Sequence, residues 1–162
     1  MPERGEPDKI AALIDAMRSL RAARAPFALI GGIAVSVHSG IPRATSGIDL
    51  AVRSSVDRAA LARVLEQAGF RPAGEFTHSS NFRHRSGEPM QLAFDPEFDP
   101  MIERAEHVQV GGESVPIVSK RDLIAMKRRA AGDPARRRSK RLRDEADVAL
   151  LEGDVPDPDE GW

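Results

Sequence analysis

The sequence contains no cysteine and no tyrosine, and its aromatic residues are limited to six phenylalanines and one tryptophan. Without cysteine the chain has no disulfide, no thiolate nucleophile and no sulfur ligands for zinc or iron–sulfur centres. An aromatic content of 4% argues against the stacking platforms that hold single-stranded nucleic acid. Disulfide scaffolds, cysteine enzymes and stacking-based binding modules are therefore excluded or disfavoured from the start.

Long apolar segments are absent as well. No hydrophobic run approaches the roughly 18 residues of a membrane span, and the first residues lack the apolar core of a secretory signal. We therefore expect a cytoplasmic protein that makes no membrane contact. A chain of 162 residues with 41% hydrophobic residues is long enough to bury one self-sufficient core. We predict one domain over residues 1–151, followed by a tail over residues 152–162.

Charge is nearly balanced in total, with 24 Lys and Arg residues against 25 Asp and Glu residues, but it is unevenly placed. Residues 119–143 carry 11 basic residues and two acids, a net charge of +9. Residues 144–162 carry eight acids and no Lys or Arg, a net charge of −8. Because residues 152–162 alternate proline with acid, this tail is predicted to be disordered.

The basic segment lies in residues 118–151, which we predict to be C-terminal helices. Clustered cations of this kind bind phosphate backbones without reading sequence. The candidates for polyanion binding are Arg128, Arg129, Arg136, Arg137, Arg138 and Lys140. The alternative is that they are solvated or pair with the acidic tail, which could also compete intramolecularly with a polyanion.

Hydrophobic periodicity gives a coarse order of elements. The predicted helices cover residues 8–24, 33–39, a segment capped by Ser54 or Ser55, 98–105, a segment opened by Ser119, and a last helix with Leu142 on its apolar side. The predicted strands cover residues 27–30 and 48–52, a hairpin at 81–85 and 90–94, and a second pair at 107–110 and 114–118. This order predicts an α+β domain with a mixed β-sheet, packed helices and a short C-terminal helical pair.

Two features of this order point to chemistry. Gly31-Gly32 separates a strand from a helix, and backbone N–H groups at a helix N-terminus bind phosphates. Asp49 lies on the next strand and points away from its apolar neighbours Ile48 and Leu50. A second acid at an alternate position would let such a strand hold a divalent metal beside those phosphates.

The stretch from Leu29 to Val52 resembles the nucleotidyltransferase-fold family, in particular the branch with AbiEii-type toxins and minimal nucleotidyltransferases. The family pattern is Gly-Gly-x-Ala, then His-x-Gly-x-Pro-Arg-x-Thr, then Asp-Ile-Asp-Leu, and weaker likeness extends over roughly residues 27–151. The resemblance implies the nucleotidyltransferase fold and transfer of a nucleoside monophosphate from an NTP to an acceptor with Mg²⁺. It implies that Asp49 is the catalytic metal ligand, and that the nucleotide phosphates meet Gly31, Gly32, Arg43, Thr45, Ser46 and Lys127.

Two departures from the family pattern change the expected activity. Gly47 stands where the family has its first acid, and Gln91 stands where it has its third. Asp49 alone remains of three carboxylates, so we expect a catalytically weakened or inactive member that binds a nucleotide, related to toxin–antitoxin systems. The alternative is a non-catalytic module that binds RNA, such as tRNA, or a protein through the basic C-terminal helices.

Two further sets of polar residues have less specific patterns. Asp144 and Asp147 share a helix face, and they are interpreted either as family positions or as partners of Lys140 or Arg143 on the same helix. His78 and His84 have no spacing typical of zinc ligands, which favours surface positions.

Overall fold

The computed structural model describes residues 8–157 and residue 159, and these residues form a seven-stranded mixed sheet covered by helices. The strands are β1 (Phe27–Ile30), β2 (Ile48–Val52), β3 (Phe70–Glu75), β4 (Ser79–His84), β5 (Pro89–Ala93), β6 (Glu106–Val110) and β7 (Glu113–Ile117). The helices are α1 (Lys9–Ala22), α2 (Gly31–Ser39), α3 (Arg58–Gln67), α4 (Asp99–Glu103), α5 (Lys120–Ala131) and α6 (Arg138–Leu151), with a 3-10 turn at Pro96–Phe98. The predicted α+β class with a mixed sheet is confirmed.

The strand order is β3-β4-β5-β2-β1-β7-β6. β1 pairs antiparallel with β2 and parallel with β7, while β2 pairs parallel with β5. All four residues of β1 are buried, as its continuous apolar run predicts for a central strand. The centre of the sheet is therefore built from β1, β2 and β5, and this arrangement sets Asp49 of β2 beside Gln91 of β5.

Helix α1 covers one side of this sheet. Asp8 caps it by accepting a hydrogen bond from the Ala11 N–H, and Leu13, Met17 and Leu20 are each at most 1% exposed. Their spacing of four and three residues places them on one helix face, as predicted. Burial of that face against the core stabilises α1 far more than its intrinsic helix propensity does.

Helices α5 and α6 form the predicted C-terminal pair. The Ser119 hydroxyl accepts a hydrogen bond from the Asp122 N–H, which confirms the predicted cap. Leu142 is 51% exposed, so its predicted place on the apolar side of α6 is wrong. The inward side of α6 instead presents Asp144 and Asp147, each 2% exposed.

Three other details differ from the sequence-based expectations. β3 was not predicted, because only Phe70 of its six residues is buried. Asp57, rather than Ser54 or Ser55, caps α3, while the Ser54 N–H donates to the Asp99 carboxylate at 2.9 Å. His84 is 2% exposed rather than a surface residue, because its ring contacts the carboxylate of Asp15 at 2.7 Å.

The acidic tail is covered only in part. Residues 158 and 160–162 lie outside the described residues, so its predicted disorder and the domain boundary at residue 151 stay predictions. Over the described part of the chain, no helix is long and apolar enough to cross a membrane.

Candidate functional site

A cleft of about 620 Å³ separates the end of the central strands from the two C-terminal helices. The sheet side contributes Gly31, Asp49 and Gln91, and the helical side contributes Lys127, Arg136 and other residues. The volume lies within the range of about 300–1,000 Å³ that is typical of small-molecule sites. The structure thus brings together three residues that the sequence singled out on different segments: Gly31, Asp49 and Lys127.

Asp49 is the sheet-side acid of the cleft. Ile48 and Leu50 on either side of it are fully buried in the core, so the Asp49 side chain faces the opposite side of the sheet. Burial raises the pKa of Asp49, and the charges of Lys127, Arg43 and Lys140 oppose part of that rise. The cleft therefore holds an acid whose ionised form is disfavoured by its surroundings.

The two glycines have different environments. Gly31 has a φ of 74°, and a side chain there would overlap the Asp49 carboxylate, so glycine lets α2 begin directly against Asp49. Gly32 is buried beneath the following loop, where a Cβ would lie 2.5 Å from Arg43 Nη1 and 2.8 Å from Thr45 Cβ. Gly31 therefore lines the cleft, whereas Gly32 makes room for the loop.

The loop after α2 carries three of the predicted phosphate-binding residues. Arg43 Nε donates to Asp147 Oδ1 at 2.5 Å, and Thr45 Oγ1 donates to the Gly47 carbonyl at 2.9 Å. Ser46 lines a separate, smaller pocket beside Asp49. Arg43 and Thr45 therefore hold the loop in place through these hydrogen bonds, and neither lines the cleft.

Buried acids of α6 form ion pairs with two cations of the cleft, Lys127 and Arg136. Lys127 Nζ lies 3.3 Å from Asp144 Oδ1 and 3.0 Å from Asp147 Oδ2, and Arg136 Nε lies 2.7 Å from Asp144 Oδ2. Together with Arg43 these residues form what we call the ion network: Arg43, Lys127, Arg136, Asp144 and Asp147. The sequence predicts that the two acids share a helix face, with Lys140 or Arg143 of the same helix as partners. The structure instead pairs them with Arg43, Lys127 and Arg136.

The two departures from the family pattern lie next to Asp49. Gln91 of β5 is the direct register partner of Asp49, so both side chains emerge side by side from the sheet. At Gly47, a Cβ would lie 2.5 Å from the backbone carbonyl oxygen of Pro89. Gly47 therefore supplies no carboxylate, and the Pro89 carbonyl oxygen also occupies the space that a side chain at this position would need.

The residues around Asp49 do not fit a two-metal site. The donors on the strands are one carboxylate, Asp49, and one neutral amide, Gln91, whereas Mg²⁺ in such sites relies on carboxylates and substrate phosphates. Over residues 8–157 and 159, no group of three or more His, Cys, Asp or Glu side chains is arranged to hold a metal ion. Asp144 lines the cleft, but its oxygens are already engaged by Lys127 and Arg136.

The predicted polyanion-binding residues fall into two sets. Arg128, Arg129 and Arg136 are paired with Glu152, Glu97 and Asp144 respectively. Arg137, Arg138 and Lys140 are exposed and have no ion-pair partner among the described residues. The second set forms a basic surface at the start of α6.

Solved structures with the same architecture include several nucleotidyltransferases. The lincosamide antibiotic adenylyltransferase LnuA, bound to lincomycin, is 14% identical with a TM-score of 0.64, over 93% of this chain and 99% of its own. ANT(2")-Ia in complex with adenylyl-2"-tobramycin is 17% identical with a TM-score of 0.62, over 90% of each chain. An antigenic nucleotidyltransferase-like protein from Paracoccidioides brasiliensis is 20% identical with a TM-score of 0.59, over 91% of this chain and 77% of its own.

The TM-scores of 0.59–0.64 show that the chain has the nucleotidyltransferase fold, and at these low identities they show the fold alone. A comparison with curated proteins found no match. Residues 12–160 match the family model described as "Nucleotidyl transferase AbiEii toxin, Type IV TA system". The chain therefore belongs to the AbiEii nucleotidyltransferase family.

Proposed function

We propose that this chain is an AbiEii-family protein that binds a nucleotide in the cleft and in which metal-dependent nucleotidyl transfer is weakened or lost. The observation that carries this proposal is the direct pairing of Asp49 with Gln91, beside a Gly47 whose side-chain space is filled by the Pro89 carbonyl. A single carboxylate provides too few ligands to fix the two metal ions of such phosphoryl transfer.

The helical side of the cleft supports phosphate binding without strong dependence on metal. Lys127, Arg129 and Arg136 all line the cleft, and Gly31 starts a nine-residue helix at its floor. Phosphate oxygens accept hydrogen bonds from guanidinium and ammonium groups and from N–H groups at a helix N-terminus. An NTP would enter with its phosphates toward these groups and would compete with Asp144 for Lys127 and Arg136.

Calorimetry with ATP tests both parts of the proposal. We expect ATP to bind the wild-type chain, with affinities in excess Mg²⁺ and in EDTA that agree within about threefold, or about 0.7 kcal/mol. If ATP bound much more tightly in Mg²⁺ than in EDTA, Asp49 would bind Mg²⁺ as a cofactor together with the NTP. No ATP binding in either buffer would refute nucleotide binding, and NMP transfer at an ordinary turnover of about 1 s⁻¹ or faster would refute weakened catalysis.

Replacing the amide by an acid makes the test sharper. Gln91→Asp adds a second carboxylate beside Asp49, so we expect Mg²⁺ to strengthen ATP binding in this variant by about tenfold relative to EDTA. Gln109→Asp is the matched control, because Gln109 is an exposed residue of β6 outside the cleft. An equal gain in both variants would show that the effect is not local to Asp49.

A second function is favoured by the exposed basic surface formed by Arg137, Arg138 and Lys140. We expect this surface to bind RNA, such as tRNA, by phosphate contacts that weaken steeply with salt. The double variant Arg137→Ala/Arg138→Ala should reduce the slope of log affinity against log salt by about two. Arg63→Ala/Arg71→Ala, which removes two exposed arginines elsewhere, is the control, and equal slopes in the two variants would count against this surface.

A further inference from the structure

Strand β6 forms one edge of the seven-stranded sheet, and β3 forms the other. Natural sheets protect such edges with proline, bulges or charged side chains, because an open edge pairs readily with another strand. β3 is protected in this way, since its register against β4 shifts between Pro72 and Gly74. β6 contains no proline and no lysine, and its five residues pair with β7 without a shift. Of the two edges, β6 is therefore the one suited to accept a further strand.

The hairpin formed by β6 and β7 determines which backbone groups of β6 point outward. Its turn is Gly111-Gly112, whose φ angles of 58° and 79° are both positive, as a two-residue type I′ turn requires. A turn of this kind is closed by a hydrogen bond between its outer residues, here Val110 and Glu113. From this closing pair, hydrogen-bonded and non-hydrogen-bonded pairs alternate along the antiparallel hairpin.

The proline of β7 agrees with this alternation. Counted from the turn, His107 faces Pro116 in a non-hydrogen-bonded pair, and Pro116 has no N–H to donate. The backbone N–H and C=O groups of His107 and Gln109 therefore point away from β7, toward the outer side of the edge. No described residue outside the hairpin makes a backbone hydrogen bond with either of them. β6 thus presents two donors and two acceptors to a neighbouring strand.

These backbone groups match those of a second β6 strand. In a two-fold antiparallel arrangement, His107 of each copy faces Gln109 of the other copy, and each such pair exchanges two hydrogen bonds. Val108 then lies opposite Val108 of the other copy, in a non-hydrogen-bonded pair. This register uses all the outward backbone groups of His107 and Gln109 in both copies at once.

The side chains of β6 are also self-complementary in this register. His107 and Gln109 are exposed on one face, where an imidazole meets an amide across each pair. Val108 and Val110 are half-buried on the other face, so pairing would cover more of their apolar surface. Glu106 is the only Asp, Glu, Lys or Arg of the strand, and it faces Val110 of the other copy. The two Glu106 residues lie about 14 Å apart along the strands, beyond the Debye length of about 8–10 Å, so no like charges oppose each other.

We propose that β6 is a homodimer interface, at which two copies of this chain join their sheets edge to edge into one continuous sheet. The contact is short, so the dimer is reversible and depends on concentration. No residue of β6 lines the cleft. The interface is therefore independent of the nucleotide site and goes beyond the proposed function.

Sedimentation equilibrium measures the dimer and separates the role of the backbone from that of the side chain. We expect the average mass of the wild-type protein to rise with concentration, from that of one chain toward that of two. Gln109→Pro removes an outward N–H but no hydrogen bond to β7, so each dimer loses two hydrogen bonds and should weaken by about thirtyfold. Gln109→Thr is the matched control, because it keeps the N–H and should dimerise within about threefold of the wild type.

Two results of this experiment would overturn the proposal. A wild-type chain that stays monomeric at every concentration would show that the β6 edge does not pair with its own copy. A dimer of equal affinity in Gln109→Pro would show that the copies associate through another surface. Urea unfolding of Gln109→Pro confirms that the variant is folded before its mass is interpreted.

Cysteine cross-linking tests the register without a proline, and the chain has no cysteine of its own. Val108→Cys places two thiols opposite each other in a non-hydrogen-bonded pair, whose Cα atoms lie about 4.5 Å apart, within the range of disulfides. Oxidised glutathione should therefore convert this variant to a covalent dimer on a non-reducing gel. Glu106→Cys is the control, because its two thiols would lie about 14 Å apart. Cross-linking that is not faster in Val108→Cys than in Glu106→Cys would overturn the proposed pairing.

Discussion

At the scale of single residues, ionisation of the buried Asp49 lowers the free energy of unfolding, and this effect can be measured as a function of pH. Burial raises its pKa above the ordinary value of 3.8, so the folded state holds its proton more tightly than the unfolded state does. This favourable contribution is fully present below pH 3.8 and is lost as the pH rises through the folded-state pKa. Above that pKa the buried carboxylate destabilises the fold.

We therefore predict that Asp49→Asn is more stable than the wild type at pH 7 in EDTA. The difference in free energy of unfolding should shrink as the pH falls toward 3.8. Urea denaturation at several pH values measures it, with the exposed Asp154→Asn as control. A gain in stability that is the same at all pH values would contradict the burial argument.

Gly47 gives a second prediction at this scale. Because a Cβ would lie 2.5 Å from the Pro89 carbonyl oxygen, Gly47→Ala should lower the free energy of unfolding by about 1–3 kcal/mol through overpacking. Gly132→Ala is the matched control, since its Cβ would meet the nearest atom at 3.5 Å. Equal unfolding midpoints for both variants would contradict this prediction, because they would show that the backbone near Pro89 moves aside at little cost in free energy.

At the scale of elements, the ion network joins α6 to the loop after α2 and to α5. Asp147 is 2% exposed and contacts both Arg43 and Lys127. Removing one partner of a buried ion pair leaves an uncompensated charge, so Asp147→Asn should cost about 3 kcal/mol of unfolding free energy. Chemical denaturation measures this loss.

The neighbouring Glu145→Gln is the control for that prediction, because Glu145 is exposed and has no ion pair among the described residues. Its unfolding free energy should stay within about 0.5 kcal/mol of the wild type. A similar loss in both variants would show that helix charge, rather than the buried contacts, sets the stability of α6.

The predictability of each element follows its burial pattern. β1 and α1 could be predicted because β1 is a short apolar run and the apolar residues of α1 follow the helix period; β1 is buried throughout and α1 along one face. β3 has a single buried residue, contains Pro72 and Gly74, and lies at the edge of the sheet. Such a strand has almost no hydrophobic signal, so periodicity could not find it.

The candidate site divides in the same way. Gly31 and Asp49 could be found because a motif of local spacing contains them both. The contact between Arg43 and Asp147 joins residues 104 positions apart, and no local pattern encodes such a pair. The pairing of Asp49 with Gln91 likewise depends on the register of β2 against β5, which no local pattern encodes.

At the scale of the whole molecule, the opposite charges of the last two segments predict an effect on RNA binding. Deleting residues 153–162 removes four acids close to the basic helices in sequence. At low salt, we expect RNA affinity to rise by about threefold to tenfold, with the gain vanishing at high salt. Filter binding or fluorescence anisotropy with tRNA measures this change.

A full-length variant with those four acids changed to Asn or Gln separates charge from length. It should match the deletion if electrostatic competition is the cause. An RNA affinity that is unchanged in both variants would refute competition between the tail and polyanions.

The chain order of the cleft has a consequence for how the protein is made. β1 pairs with β7 through Leu29 and Ile117, and the cationic side of the cleft comes from α5 and α6, which follow β7 in the chain. A nascent chain that has reached β6 contains Asp49 but neither β7 nor Lys127. Such pairings between distant segments also slow folding. The cleft is therefore complete only after α6 has been synthesised, and we expect a ribosome-bound fragment that ends at β6 not to bind ATP.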